Sequence, residues 1–441
     1  MRLDKNQSMW NMDTVPRNPR LATDINADIA VIGAGYTGLS AAYHIKKLKP
    51  DENVVVLESE FAGHGASGRN GGMCLNQAAM DYMSMARPET HKLTYEATTQ
   101  CIREISNLMK AQGFGSFMRH NGSLMVNMSA KGADRSKAYA TKASSIGMPV
   151  EFWDRERVAK EIGTRVYAGG LYDPNAADVD PMKMVRALKK AAEGAGAVVY
   201  ENSSVERIVE GEQVRLRVAG ADGANHTVTA KAAILATDAY SSRLGYFRRR
   251  VAVVHTEMAA TRVLPKDTLS QIGWTSRIPF HDDRLYLYHI GTTDDGRITI
   301  GAGNAEYFFN ESLIYKKSLE GRREALRREL VRIYPALKDV EIEHIWTGAL
   351  GYSYDDTQSV GVTGRNKNLY YGIGYAGHGV TLSFLFGKAI ADMHAGRGDA
   401  WMRMPFFQRN LPAYIPPEPF RYIAIKSRMA SMKSHDRRLV E

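Results

Sequence analysis

Glycines at a fixed spacing near the start of the chain are suited to binding phosphate groups. Residues 33–38 read GAGYTG and lie between a short apolar run and a helical pattern. In this arrangement Gly33 permits a tight turn, Gly35 lets a pyrophosphate approach the backbone, and Gly38 lets the helix pack closely on the strand. The anion then lies at the helix N-terminus, where unpaired N–H groups and the helix dipole stabilise negative charge.

An acidic residue and a second glycine-rich segment follow at useful distances. Residues 53–58 read NVVVLE, a buried strand ending on Glu58, which is placed to accept ribose hydroxyls. The next loop, 63–72 (GHGASGRNGG), offers Arg69 and backbone amides to a phosphate or a flavin edge. Together these features predict a bound dinucleotide. The alternatives are an ordinary glycine turn and a surface loop.

The composition agrees with a globular protein of two lobes. The chain has 441 residues, of which 44% are hydrophobic and 24% charged, which excludes largely disordered and collagen-like proteins. Its two cysteines, Cys74 and Cys101, exclude a disulfide framework or a four-cysteine metal site. No metal-ligand or Ser-His-Asp spacing is convincing, so we predict no metal.

Charge and hydropathy bear on partners and location. Lys and Arg number 58 against 48 Asp and Glu, an excess of 10 spread along the chain, which favours solubility over a nucleic-acid partner. The first 24 residues are polar, and no stretch is apolar enough for a membrane span. We therefore expect a cytoplasmic protein with no transmembrane segment.

Hydrophobic periodicity predicts mixed α/β architecture. Helical patterns lie at 36–48, 182–197 and 380–395, a charged amphipathic helix is predicted at 319–334, and a helix-rich region spans roughly 87–168. The predicted strands are 28–33, 53–58, 123–128, 197–201, 205–209, 214–218, 227–229, 232–236, 251–263, 284–290, 297–302 and 369–375. Residues from 396 onward are rich in Pro, Arg and Met and are predicted to be a tail that wraps the surface.

Several motifs carry a resemblance along most of the chain. Besides GASGRNGG at 65–72, they are DVDP at 178–181, ATDAY at 236–240, WTG at 346–348, GHGVT at 377–381 and PPEPFR at 416–421. With these motifs the sequence resembles the FAD-dependent D-amino-acid-oxidase superfamily, which includes glycine and sarcosine oxidases. In motif it is most similar to the γ-glutamylputrescine oxidase branch.

The resemblance implies a fold and a cofactor. The fold is a Rossmann-like FAD-binding domain (25–86, 178–245 and 345–400), an interleaved substrate domain on a mainly antiparallel sheet (87–177 and 246–344), and a basic tail (401–441). FAD is expected to be non-covalent, because both cysteines precede residue 102 whereas some relatives attach FAD to a cysteine in their C-terminal half. The residues expected to contact FAD are Gly33, Gly35, Gly38, Glu58, Ser67, Arg69, Asn70, Gly71, Val205, Gly377, His378, Gly379, Val380 and Thr381.

The reaction implied is oxidation of a C–N bond in an amine, γ-glutamylputrescine-like or another side-chain amine. A hydride passes to flavin N5, the imine hydrolyses, and O₂ reoxidises the flavin to give H₂O₂. Three alternatives stay open: an oxidase of glycine, D-amino or N-methyl amino acids, a dehydrogenase using a quinone or protein acceptor, and a flavin-containing nucleic-acid-binding protein. An oligomer is compatible with the sequence.

The substrate residues are less defined. Relatives that oxidise amino acids often carry an arginine shortly after the tryptophan of the WTG motif, where this chain has Leu350, so we expect an amine, unless Arg284 or Arg262 replaces it. The candidates for catalysis are Glu257, Tyr286 and His378. Glu257 interrupts an apolar strand and could bind an ammonium or act as a base, or simply face solvent.

Two further patterns have structural alternatives. The spacing of Tyr286 and Tyr288 places both on one face of a strand. They could form the aromatic wall of an amine pocket, or they could pack as ordinary sheet residues. The basic cluster at 248–250 could bind a phosphate or an acidic partner, or be a solvated loop. The basic tail at 426–438 could dock on a partner, a membrane or another subunit.

Overall fold

The computed structural model describes residues 7–12, 16–76, 87–220, 224–398, 403–407 and 411–440. The strands are β1 (Ile25–Ile32), β2 (Val54–Leu57), β3 (Met73–Cys74), β4 (Met118–Arg119), β5 (Ser123–Asn127), β6 (Glu151–Asp154), β7 (Gly169–Asp173), β8 (Ala177–Val179), β9 (Val198–Tyr200), β10 (Val205–Val209), β11 (Val214–Ala219), β12 (Asn225–Leu235), β13 (Ala252–Thr261), β14 (Phe280–Asp282), β15 (Tyr288–Thr292), β16 (Ile298–Ala302), β17 (Ile342–Tyr352), β18 (Ser359–Thr363) and β19 (Leu369–Ile373). The helices are α1 (Tyr36–Leu48), α2 (Pro88–Ala111), α3 (Ala130–Ser145), α4 (Arg155–Ile162), α5 (Pro181–Gly194), α6 (Thr268–Gln271), α7 (Glu320–Ile333), α8 (Gly379–His394) and α9 (Phe420–Val440).

The first sheet has parallel strands at its centre. Its order is β10-β11-β12-β1-β2-β9, with β19 beside β12 and β18 beside β19. β1 pairs in parallel with β12 and β2, and α1, α5 and α8 contribute to one apolar core beside them. Strands buried on both faces have this near-continuous apolar character. The carboxyl ends of β1 and β2 therefore meet at the glycine loop.

β12 is one strand where the sequence predicted two. Its first residues, 225–230, pair antiparallel with β11, and its last, 233–235, pair in parallel with β19. A single strand thus runs from the outer meander into the parallel centre. Asp238 follows the end of this strand and lies at the same edge of the sheet as the ends of β1 and β2.

The second sheet is mainly antiparallel, in the order β17-β13-β16-β15-β14-β5-β7-β6, with β14 and β5 parallel. β17 belongs to this sheet although it spans the predicted domain boundary at residue 345. Residues 284–290, predicted as one strand, are a turn followed by β15. A third, three-stranded sheet, β3-β8-β4, follows the loop at 63–72.

The tail differs most from expectation. Instead of an irregular wrap, residues 420–440 form α9, which packs its buried Ile425 and Met429 with Ala252 and Val254 of β13. Across the described ranges, no helix combines the length and apolarity that crossing a membrane requires.

Candidate active site

The glycine turn has the close contacts that its sequence predicted. A Cβ on Gly33, whose φ is +102°, would lie 2.7 Å from the carbonyl oxygen of Ala236. A Cβ on Gly38 would lie 2.0 Å from the carbonyl oxygen of Gly33. Both obstacles are backbone atoms, so neither can rotate away, and only glycine fits at these two positions.

The N-terminus of α1 is suited to an anion. Its first turn holds no acidic residue, and Gly35 supplies no side-chain cap. The Ser67 hydroxyl oxygen accepts the Tyr36 N–H at 3.0 Å, which ties the second glycine-rich loop to the helix start. The other N–H groups of this turn are of the kind that bind phosphate at helix starts.

Glu58 is held in place by the same turn. One carboxylate oxygen accepts the Ala34 N–H at 2.8 Å, and the other accepts from Glu60 N–H and Ser59 Oγ at 3.1 Å. Burial raises the pKa of Glu58, and these hydrogen bonds oppose that rise. The end of β2 therefore presents a fixed carboxyl group beside the glycine loop.

Two contiguous cavities meet at this edge. The glycine-loop cavity is lined by Gly33, Gly35, Glu58, Ser67 and Val205, among others. The second-sheet cavity lies against β13, β15 and α9. The residues that line both are Ala66, Asn70, Leu350, Ala376, Gly377 and Val380. One elongated site therefore runs from the first sheet to the second.

The turn before α8 lies where the cavities join. Gly377 has φ +89°, and a Cβ added there would meet no atom within 4 Å. His378 precedes the first helical residue and adds no capping bond. Nδ1 of His378 and Oγ1 of the buried Thr381 have no hydrogen-bond partner. This helix start offers N–H groups to negative charge.

Arg69 takes a different position from a phosphate clamp. Its Nε donates to the His64 carbonyl at 2.7 Å and its Nη1 to the Thr347 carbonyl at 2.9 Å. It lines the second-sheet cavity, as Gly71 does, and the Trp346 indole donates to its carbonyl oxygen at 2.8 Å. Arg69 thus joins the loop to β17, and it does not line the glycine-loop cavity.

Asp238 is a residue whose importance the sequence reasoning missed. Its carboxylate accepts the Gly351 N–H at 2.8 Å and the Gly374 N–H at 2.9 Å, and it lines the glycine-loop cavity. Its φ of +35° is in the left-handed region. Burial raises its pKa, against the backbone hydrogen bonds. One side chain joins β17 of the second sheet to the end of β19 in the first.

Glu257 does not face the cavity, which corrects its prediction as a catalytic residue. Side chains alternate along β13, and Thr256 and Met258 line the second-sheet cavity. Glu257 is fully buried on the other face, where it accepts from Tyr315 Oη at 2.6 Å and Arg322 Nε at 3.2 Å. It is an internal ion-pair partner.

This position predicts a structural effect without a catalytic one. Changing Glu257 to Ala removes the partner of Arg322 and Tyr315, so we expect the free energy of unfolding to fall by about 2 kcal/mol. Glu257→Gln, which keeps a hydrogen bond to Tyr315, is the milder control. Urea denaturation and the rate of flavin reduction measure the two effects. A Gln variant that is stable yet reduces flavin more than about a hundredfold more slowly would restore a catalytic role.

The two tyrosines separate because the chain turns between them. Tyr286 lines the second-sheet cavity, and its buried hydroxyl has no hydrogen-bond partner. Burial raises the pKa of Tyr286 to about 12, so the hydroxyl stays protonated. Tyr288, predicted to share its face, instead lies under the Arg284 guanidinium, 4.4 Å from the ring centre.

Histidines supply much of the polar lining. His281 and His289 are paired across β14 and β15, and both line the second-sheet cavity with His378. Burial lowers the pKa of His281 and of His289 to about 4 and also lowers the pKa of His378. All three rings are therefore neutral near pH 7.

These shifts predict acid sensitivity. In the unfolded chain His281 and His289 take up protons near pH 6.5, but in the folded chain the same two rings take them up only near pH 4. Stability therefore falls with acid between these values, by about 1.4 kcal/mol per pH unit for each ring. Urea unfolding at pH 7, 6 and 5 measures the slope. His281→Asn should make it shallower, and an unchanged slope would contradict the assignment.

The charged side chains in the described lining of the second-sheet cavity are all cationic. Its described lining contains no carboxylate and two arginines, Arg69 and Arg428. Arg284 is committed to Asp282 and Glu329, and Arg262 is not part of that lining, so neither stands in for the arginine absent at Leu350. Arg428 comes from α9, in the basic tail whose role the sequence left open.

Comparison with known proteins agrees with this architecture. A family model described as FAD dependent oxidoreductase (DAO) matches residues 28–393. The chain belongs to this family. The family assignment confirms the resemblance, the FAD cofactor and the oxidoreductase class, and the clefts fit such a group: an anion-binding glycine turn in one cavity and a polar helix start where the two join.

Individual relatives are distant in sequence. The chain is 28% identical over 399 residues to the γ-glutamylputrescine oxidoreductase of Escherichia coli K12, covering 88% of each chain. It is 25% identical over 394 residues to the probable oxidoreductase OrdL of Haemophilus influenzae, covering 86% of this chain and 85% of the relative. The crystal structure of glycine oxidase from Geobacillus kaustophilus superposes with a TM-score of 0.71 at 21% identity, covering 84% of this chain and 95% of that one, and confirms the fold.

Proposed function

We propose that this flavoprotein is an oxidase of primary amines carried on a side chain or an acylated diamine. The observation that carries the proposal is the second-sheet cavity, whose described lining has no carboxylate to hold an ammonium and no arginine after the WTG motif to hold an α-carboxylate. The similarity to a γ-glutamylputrescine oxidoreductase points in the same direction.

FAD, when bound, supplies the two-electron acceptor for oxidation of the C–N bond. The residues proposed to hold its phosphate half are Gly33, Gly35, Gly38, Ser67 and, at the ribose, Glu58. Val205 lines the same cavity and is proposed to hold the adenine. Asn70, Gly71, Arg69 and the turn Gly377, His378, Gly379, Val380 and Thr381 are proposed around the ring system.

The chain's own residues would then favour the reactive form of the substrate. Cationic and neutral groups around the cavity disfavour an ammonium and favour the free amine, whose nitrogen lone pair assists oxidation. Tyr286 and His378 offer a hydroxyl and an imidazole to orient that amine. The backbone N–H groups at the start of α8 would hold the ring system and would stabilise negative charge on it.

The net reaction takes two electrons and two protons from the amine to give an imine, which water hydrolyses to a carbonyl compound and ammonia. Dioxygen is the proposed acceptor, and it takes the two electrons and two protons as H₂O₂. Neither Cys74 nor Cys101 lines either cavity, and both are buried, which supports non-covalent FAD.

Anaerobic bleaching of the flavin absorbance across amines and amino acids tests the proposal. We expect acylated diamines to reduce the flavin and glycine and D-amino acids to fail, and H₂O₂ to appear in air without an added acceptor. Reduction by amino acids alone would favour the amino-acid oxidase instead. Reduction without H₂O₂ would favour a dehydrogenase, and yellow colour retained in an acid-precipitated pellet would contradict non-covalent FAD.

A further inference from the structure

The C-terminal helix α9 forms a wall of the second-sheet cavity. Ile425, Arg428, Met429 and Met432 of this helix all line it. Their spacing of three and four residues places them on one face of the helix. The matched family model ends at residue 393, so this wall lies outside the part of the chain that defines the family.

Polar anchors hold the helix in this position. At its start, Arg421 pairs with Glu311 at 2.5 Å, with both side chains buried. Near its end, the buried Asp436 accepts the N–H groups of Leu285 and Tyr286, both at 2.8 Å. The second anchor fixes the segment that carries Tyr286, so the helix also shapes the neighbouring wall.

Of the two arginines in the described lining, Arg428 is the one suited to a ligand. Arg69 is buried and donates to two backbone carbonyls. Arg428 keeps 34% of its side chain exposed. It donates to the Tyr354 carbonyl oxygen and, at 3.3 Å, to Asp356. A guanidinium has five N–H donors, so donors remain for a ligand after these two bonds.

The contacts of Arg428 also fix its orientation. Its guanidinium lies 4.8 Å from the centre of the Tyr354 ring, and Asp356, which is not part of the described lining, holds one side of it. A planar guanidinium held this way is preorganised for a carboxylate. An ammonium in the same place would meet a cation and no acid along the described lining, which is unfavourable.

We propose that Arg428 binds a carboxylate that the substrate carries away from its reacting amine, with Met429 and Met432 packing against the aliphatic part. α9 is then the element that selects an acylated, carboxylate-bearing amine over a free diamine. This inference rests on the proposed function, because it takes the amine to be the reacting end.

Three matched amines test the selection. They are the glutaric-acid monoamide of 1,4-diaminobutane, the same compound with its carboxylate replaced by a carboxamide, and 1,4-diaminobutane itself. The dissociation constants follow from the concentration dependence of anaerobic flavin reduction. For the unmodified protein we expect the carboxylate to bind at least about tenfold more tightly than the carboxamide, and the free diamine most weakly.

Variants at position 428 test whether Arg428 causes this preference. In Arg428→Met the dissociation constants of the carboxylate and the carboxamide should differ by no more than about threefold. Arg428→Lys keeps a point charge, so its ratio should lie between that of Arg428→Met and that of the unmodified protein. Arg437→Met is the matched control, since it removes the same charge from an exposed position on the same helix and should keep the full ratio. A ratio near one in the unmodified protein, or one retained in Arg428→Met, would overturn the proposal.

A non-reactive pair separates this proposal from the proposed function. Glutaric-acid monobutylamide has the carboxylate but no amine, and its binding, with that of its carboxamide, can be followed by perturbation of the oxidised flavin spectrum. If no amine reduces the flavin but this pair keeps an Arg428-dependent preference, the proposed function fails and the carboxylate site stands. If the amines reduce the flavin without any preference, the site fails and the function stands.

Discussion

Replacing Gly38 with alanine should abolish retention of FAD. The new Cβ would lie 2.0 Å from the Gly33 carbonyl oxygen and 3.0 Å from Cγ1 of Val31. Since the first obstacle is a backbone atom, α1 must move away from β1, and the glycine turn moves with it. We expect the purified variant to be colourless and its free energy of unfolding to fall by about 2 kcal/mol or more.

A second helical glycine provides a control. Gly321 lies in α7, and a Cβ there would meet nothing within 4 Å. Gly321→Ala should therefore leave the flavin content unchanged and raise stability by up to about 1 kcal/mol, because alanine favours helix. Flavin absorbance per protein and urea denaturation measure both variants. Gly38→Ala purifying with full flavin content would show that the contact relaxes and that the turn tolerates it.

Replacing Asp238 with alanine is expected to weaken FAD binding and stability together. The change leaves the Gly351 and Gly374 N–H groups without their carboxylate acceptor, and those bonds join the two sheets beside the glycine-loop cavity. Hydrogen bonds to a charged group contribute about 1.5–3 kcal/mol each, so we expect a loss of about 3 kcal/mol or more. The dissociation constant for FAD should rise at least about tenfold.

Flavin reconstitution of the apoprotein and urea denaturation distinguish the two effects. Asp238→Asn keeps one acceptor oxygen and should lie between the native protein and the alanine variant. Asp355 is the matched control, because its exposed carboxylate accepts the Ala413 N–H at 3.1 Å and lines neither cavity, and its loss should cost about 1 kcal/mol or less. Destabilised Asp238→Ala with native affinity for FAD would limit this residue to a structural role.

The sequence predicted the geometry of the glycine turn because its signals are local, and the FAD contacts of that turn stay a prediction. Gly38 is limited by the carbonyl oxygen of Gly33, five residues earlier, so the spacing within residues 33–38 already indicates this contact. Gly33 is limited by Ala236, a contact between distant parts of the chain that the spacing alone does not contain. Asp238 was harder to find, since its partners at 351 and 374 are over one hundred residues away and no local pattern reports them.

The substrate side depended on facts that local patterns do not contain. The alternation along β13 shows that Glu257 and Met258 face opposite ways, but it does not say which face meets the cavity. Apolar and aromatic residues continue through 284–290, which hid the turn that separates Tyr286 from Tyr288. Helical spacing of three and four residues relates Ile425, Met429 and Met432, but nothing near them in sequence indicates that they pack against β13.

The anchoring of α9 has a consequence for biosynthesis. Chains emerge from the ribosome N-terminus first, and domains fold as their segments become available. All three sheets and the glycine turn are complete in sequence by residue 373, whereas one wall of the second-sheet cavity belongs to α9, which Asp436 anchors. A nascent chain can therefore assemble its glycine turn before α9 has been translated, but its second-sheet cavity stays open on one side until α9 is in place.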